Sequence, residues 1–136
     1  MSAVFADTAF YVAVLSSRDA LHSAAIDFTR GYQGRTDTTE FVLLEVANFL
    51  TSVGRRTAFV DLVRGLRSSR KTEIVSSSPA LFERGLTLFH ARPDKAWSLT
   101  DCTSFVVMDD FSLTDALASD GHFTQAGFRA LLVQRA

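Results

Sequence analysis

The chain has 136 residues, the size of one domain built around a single sizeable hydrophobic core. Its composition, 47% hydrophobic and 21% charged, is that of an ordinary globular protein, and no apolar run is long enough to span a bilayer. A net charge of −1 excludes a generic basic coat for nucleic acid, and a single cysteine, Cys102, excludes an internal disulfide and suits a reducing, cytoplasmic setting.

Taken in chain order, Val4, Phe5 and Ala6 form a short apolar run ending at Asp7, which predicts a first buried strand. No basic region precedes a long apolar stretch, so no secretory signal is expected. Phe10, Val14 and Leu15 recur at helical spacing, a second helix is expected over residues 22–29, and Gly31 and Gly34 punctuate a loop. A strongly apolar helix is predicted from about Thr39 through Phe49 and Leu50, stopping near Gly54. Residues 55–68 place Phe59, Leu62, Val63 and Leu66 on one helical side and leave a basic outer face. Residues 73–75 read as a strand. Ser78 followed by Pro79 is an N-cap with proline at the first helical position, opening a helix to about Ala91. Pro93 breaks the chain, and Ser98 opens a further helix through Phe105, Val106 and Met108. Residues 115–119 read as a strand, 123–125 as one helical turn, and 130–133 as a last strand. Short strands alternating with helices imply a three-layer α/β/α fold around a central, mainly parallel sheet. No linker, repeat or low-complexity segment divides the chain, so residues 1–136 are expected to form one domain.

Two acids follow predicted strands: Asp7 after the first and Asp120 after the penultimate one. Open parallel sheets bind ligands outside the carboxyl ends of their strands, so both aim at one edge. A turn or helix cap explains either residue taken singly. Glu45 is the sharper anomaly, because between Phe41 and Leu50 only Glu45 and Asn48 are polar. A carboxylate on so apolar a helix needs a cation, either a metal ion or an arginine in a buried ion pair. Asp101 lies three residues after Ser98, in the capping-box relation, and capping alone accounts for it.

The segment Asp94-Lys95-Ala96-Trp97-Ser98-Leu99-Thr100-Asp101-Cys102-Thr103-Ser104-Phe105 resembles the characteristic stretch of bacterial PIN-domain nucleases, especially those similar to VapC toxins. So does Ser119-Asp120-Gly121-His122-Phe123-Thr124-Gln125-Ala126-Gly127-Phe128, where that family has an Asp, one residue, then His-Phe. Asp7 and Glu45 fall where the family carries its other two acids, and the resemblance covers the whole chain. The first strand is less β-branched than usual, and Asp115 is an extra acid with no assigned role.

The resemblance implies a PIN-like fold and an endoribonuclease whose catalytic, metal-binding acids are Asp7, Glu45, Asp101 and Asp120. Asp7 and Asp101 would be the most direct ligands, with Thr8 and Thr100 either orienting the carboxylates or serving as local caps. It implies Mg²⁺ or Mn²⁺ as cofactor, and clustered carboxylates without His/Cys ligand spacing do favour such hard cations. It further implies an RNA substrate, a cognate antitoxin if the protein is a toxin, and a homodimer, with no membrane association. The Phe-rich composition, twelve Phe against two Tyr and one Trp, leaves apolar surface for such contacts.

Only Lys71 and Lys95 among the fourteen basic residues are lysine, and several arginines cluster over residues 55–70. Arg64, Arg67 and Arg70, at three-residue steps, are the expected RNA-guiding stripe. His122 reads as a structural hydrogen-bonder, Cys102 as core, Trp97 as packing beneath the loop before the Asp101 helix, and His22 and His90 as surface. The principal alternative is a catalytically inactive PIN scaffold that binds RNA or protein. An aspartate-based phosphohydrolase would need Asp-x-Asp where Asp7-Thr8-Ala9 stands, and a receiver domain would need paired N-terminal acids and a late strand-end lysine.

Overall fold

The computed structural model describes residues 3–119 and 121–133, within which five strands form one sheet with every neighbouring pair parallel. β1 (Ala3–Ala6), β2 (Arg35–Thr39), β3 (Thr72–Val75), β4 (Asp115–Ser119) and β5 (Arg129–Leu132) take the order β3-β2-β1-β4-β5. Between them run α1 (Thr8–Leu15), α2 (His22–Gly31), α3 (Glu40–Asn48), α4 (Val53–Ser68), α5 (Pro79–Ala91), α6 (Leu99–Asp110) and the single turn α7 (His122–Gln125). Parallel strands need crossover connections, and the preference for right-handed crossovers sorts the helices onto two faces. Stepping from β1 through β2 to β3 puts the first four helices on one face, and returning to β4 and β5 puts the last three on the other. The packing agrees: α1 lies against α2, α3 and α4, whereas α5 lies against α6, and α6 against α7. The result is the three-layer α/β/α architecture expected from the alternation of elements.

The central strands β1 and β4 are apolar and buried from Val4 to Ala6 and from Ala116 to Ala118, as strands covered on both faces must be. β1 carries the chain away to β2 on one side, and β4 carries it to β5 on the other, so the strand order reverses between them. That reversal opens a crevice at the carboxyl ends of β1 and β4. An aromatic column supports it. Phe5 stacks on Phe123 at 6.3 Å between centroids, Phe105 meets Phe123 edge-on at 4.9 Å, and Trp97 meets Phe105 edge-on at 5.0 Å. This column ties α7 and the middle of α6 to the sheet.

One strand escaped the sequence reading. β2 has the polar sequence Arg35, Thr36, Asp37, Thr38 and Thr39, yet Asp37, Thr38 and Thr39 are fully buried between β1 and β3. Apart from Asp37 Oδ1, which has no partner among the described residues, its buried polar groups find partners that alternation cannot reveal. The Thr38 hydroxyl donates to the Ala6 carbonyl at 2.9 Å, Asp37 pairs with Arg35 at 3.0 Å, and the Thr39 hydroxyl accepts the Val42 N–H at 3.0 Å as the N-cap of α3. The apolar helix therefore begins where expected but ends at Asn48, and Gly54 lies inside α4 rather than between helices. The caps read from sequence hold: the Ser78 hydroxyl accepts from the Leu81 N–H at 3.1 Å, with Pro79 opening α5.

α5 and α6 approach closely because of one glycine. A Cβ on Gly85 would stand 2.5 Å from Thr103 Cγ2 and 3.3 Å from the Thr103 nitrogen. Thr103 cannot easily rotate away, since its hydroxyl donates to the Thr100 carbonyl at 2.7 Å. The spacing of α6, and hence the depth of Asp101, depends on that contact.

Candidate active site

Asp7 is the first residue beyond β1 and sits in the crevice, its N–H donating to the Leu117 carbonyl of β4 at 3.1 Å. It occupies the N-cap position of α1 but makes no side-chain cap hydrogen bond, so capping does not account for it. The residue is buried and its Oδ1 has no partner among the described residues. Burial pushes its carboxyl up from 3.8 to about 7; the neighbouring charges of Asp101 and Glu45 add to the rise, opposed by the nearby backbone of Thr8 and Ala9. A buried carboxylate with one oxygen unpartnered, in the field of two more acids, is unfavourable by itself and is relieved by a cation.

Glu45 projects from α3, half-buried rather than enclosed on all sides. It forms no ion pair or hydrogen bond among the described residues, so the arginine partner that would explain it structurally is not there. Asp101, the third residue of α6, does make the capping box. Its N–H donates to Ser98 Oγ at 3.0 Å, and its Oδ2 accepts the Ser98 N–H at 3.0 Å. The same Oδ2 also contacts His122 Nδ1 at 3.0 Å. One carboxylate thus caps a helix and still faces Asp7 electrostatically.

Asp120, the fourth expected acid, lies outside the described residues, between Ser119 at the end of β4 and Gly121, whose φ of 114° only glycine adopts readily. Among the described residues, no three Asp, Glu, His or Cys side chains converge tightly enough to hold one ion. Asp7, Glu45 and Asp101 therefore surround an acidic crevice rather than a closed cage. The available donors suit a hard cation. His122 Nδ1 is engaged with Asp101, and Cys102 is buried in the core, where desolvation pushes its thiol up.

Other expected residues take different places. Thr8 is buried with an unpartnered hydroxyl, and Thr100 engages Thr103 through its carbonyl; neither hydroxyl bonds a carboxylate among the described residues. The arginine stripe is broken. Arg64 and Arg67 lie on α4, Arg64 exposed and 3.9 Å from Asp61, but α4 ends at Ser68 and Arg70 sits in the following turn. A helical face cannot extend past the helix, so the three do not share one. Trp97 is buried as expected, its indole N–H donating to Gln125 Oε1 at 3.2 Å. His22 is half-buried, with Nδ1 2.7 Å from the Ala13 carbonyl, while His90 is exposed. The contact of His122 with Asp101 is what the sequence reading missed. The spacing of the two C-terminal motifs carries no sign of it.

No family model matches the chain. It is 29% identical over 126 residues to 23S rRNA-specific endonuclease VapC20 of Mycobacterium tuberculosis, in strains CDC 1551 / Oshkosh and ATCC 25618 / H37Rv. That match covers 92% of this chain and 95% of each relative. The crystal structure of Mycobacterium tuberculosis VapC20, described as a Sarcin-Ricin loop cleaving toxin, superimposes with a TM-score of 0.82 at 27% identity, over 92% of this chain and 95% of that one.

Proposed function

We propose that this chain, a VapC-like protein with a PIN-like fold, is a metal-dependent endoribonuclease and the toxin of a toxin–antitoxin pair. The observation that carries the reading is Asp7: a buried carboxylate with an unpartnered oxygen, at the strand-order reversal, raised to about 7 by burial and by two neighbouring acids. Asp7 and Asp101 would hold Mg²⁺ or Mn²⁺ most directly, with Glu45 and Asp120 completing the pocket. Such a cation, when bound, would supply Lewis acidity at the scissile phosphate and favour ionisation of an attacking water. The protein's own part is preorganisation. The capping box holds the Asp101 carboxylate, the β1–β4 pairing fixes Asp7, and α3 presents Glu45 from the side.

The likeness to VapC20 makes a structured loop of 23S rRNA, of the sarcin–ricin type, the substrate to test first. Such a stem-loop should be cut once with Mg²⁺ or Mn²⁺, remain intact with EDTA, and remain intact with Asp7→Asn or Asp101→Asn. Cleavage that survives both EDTA and these substitutions overturns the metal-site reading. Binding without cleavage in Mn²⁺ supports the inactive scaffold instead.

The antitoxin is proposed to place an Arg side chain in the acidic crevice, where bidentate pairing with carboxylates competes with metal. A homodimer is proposed through α5, where Phe82, Leu86 and Phe89 form an exposed apolar stripe at 40%, 39% and 47% exposure. Replacing Phe82 and Leu86 with Glu should give a monomer by sedimentation; a wild type that is already monomeric at high concentration refutes this. No described helix is long and apolar enough to cross a membrane, and the proposed site of action is the cytoplasm.

A further inference from the structure

We infer that His122 is a positioning residue for the metal site, donating from Nδ1 to Asp101 Oδ2 so that Oδ1 is left as the oxygen that faces the cation. The inference rests on the metal-dependent reading above and deepens it. A carboxylate accepts and does not donate, so the 3.0 Å contact requires the proton on Nδ1 and sets the imidazole tautomer. Oδ2 then receives two donors, the Ser98 N–H at 3.0 Å and His122 Nδ1–H at 3.0 Å. Together they saturate one oxygen and stop the carboxylate from turning about its Cβ–Cγ bond. The side chain of Asp101 is 12% exposed and that of His122 is 46% exposed, so the histidine lies at the rim, above the acid it holds.

Packing supports the same arrangement. His122 opens α7, and its neighbour Phe123 is buried against Phe5 of β1 and Phe105 of α6. The backbone that carries His122 is therefore anchored to the strand that leads into Asp7 and to the helix that carries Asp101. The capping box alone satisfies the end of α6, so the histidine is not needed for the helix. What it adds is a second restraint on the acid's orientation. Hydrogen-bonding partners of metal ligands are worth about 10–100-fold in metal affinity or activity.

The test compares His122→Ala, His122→Asn and His122→Gln, with Asp7→Asn as reference, titrating each with Mn²⁺ alone by calorimetry. An Asn amide nitrogen stands as many bonds from Cα as Nδ1, and a Gln amide nitrogen as many as Nε2. Expected are Mn²⁺ binding about 10–100-fold weaker in His122→Ala, recovery in His122→Asn, and none in His122→Gln. Cleavage by His122→Ala should return as Mn²⁺ is raised, because the lesion is in metal affinity. If the alanine variant folds poorly, the Asn–Gln pair carries the comparison. Wild-type Mn²⁺ affinity in His122→Ala, or equal behaviour of Asn and Gln, overturns the positioning role alone. A wild type that binds no Mn²⁺ overturns the metal reading with it.

Discussion

Asp7→Asn separates a metal ligand from a structural acid by the sign of a stability change. In the folded protein the Asp7 carboxyl stands at about 7 against an ordinary value of 3.8, with burial the largest cause and Asp101 and Glu45 adding to it. At about 1.4 kcal/mol per pH unit, that separation corresponds to about 4 kcal/mol. The folded state binds the proton more tightly than the unfolded state, so this carboxyl lowers stability as pH rises. The penalty is absent below 3.8, grows between 3.8 and about 7, and is complete above that. Asn carries no charge at any of these pH values. Without metal, the variant should therefore be more stable than wild type at pH 8, by up to about 4 kcal/mol. The two should converge near pH 4. Mg²⁺ should narrow this gap, because at a hundredfold excess over its dissociation constant it stabilises only the protein that binds it, by about 2.7 kcal/mol. Urea denaturation of both proteins in EDTA and in Mg²⁺, at pH 4, 6 and 8, reads all of this. A cap or ion-pair role predicts a less stable variant instead. Asp7→Asn that is destabilised in EDTA at pH 8, or that still cleaves RNA, refutes the reasoning.

Gly85→Ala should destabilise the protein by about 1–3 kcal/mol, because the added methyl meets a Thr103 side chain already tied to Thr100; an unchanged urea midpoint would mean α5 and α6 separate freely. Replacing Arg64, Arg67 and Arg70 with Gln should weaken RNA binding and reduce its salt slope by about 0.7–0.9 for each phosphate no longer neutralised. Since Arg70 lies beyond the end of α4, its single substitution should contribute separately from the other two. Affinity and slope unchanged in the triple variant would return this surface to mere solvation.

What the sequence determined by itself was whatever is written over a few neighbouring residues. The Ser78–Pro79 start of α5, the Ser98 and Asp101 capping box, the apolar runs of β1 and β4 and the alternation of strand with helix all join residues close in the chain, and all stand as expected. The acids Asp7, Glu45, Asp101 and Asp120 were expected through a resemblance, while their surroundings were not legible. Tertiary structure supplies those for the three it describes: among the described residues Asp7 makes no cap bond, Glu45 meets no arginine, and Asp101 caps α6 while also meeting His122. It alone disclosed β2, because a strand buried on both faces usually announces itself by apolar residues. Here the buried threonine Thr38 is satisfied instead by the Ala6 carbonyl, 32 residues away in the chain. The strand order β3-β2-β1-β4-β5, which opens the crevice between β1 and β4, likewise follows from which apolar surfaces pack together. Hydrogen bonds between near neighbours leave a pattern in sequence; contacts made by folding distant segments together are set by packing and by the need to pair every buried polar group.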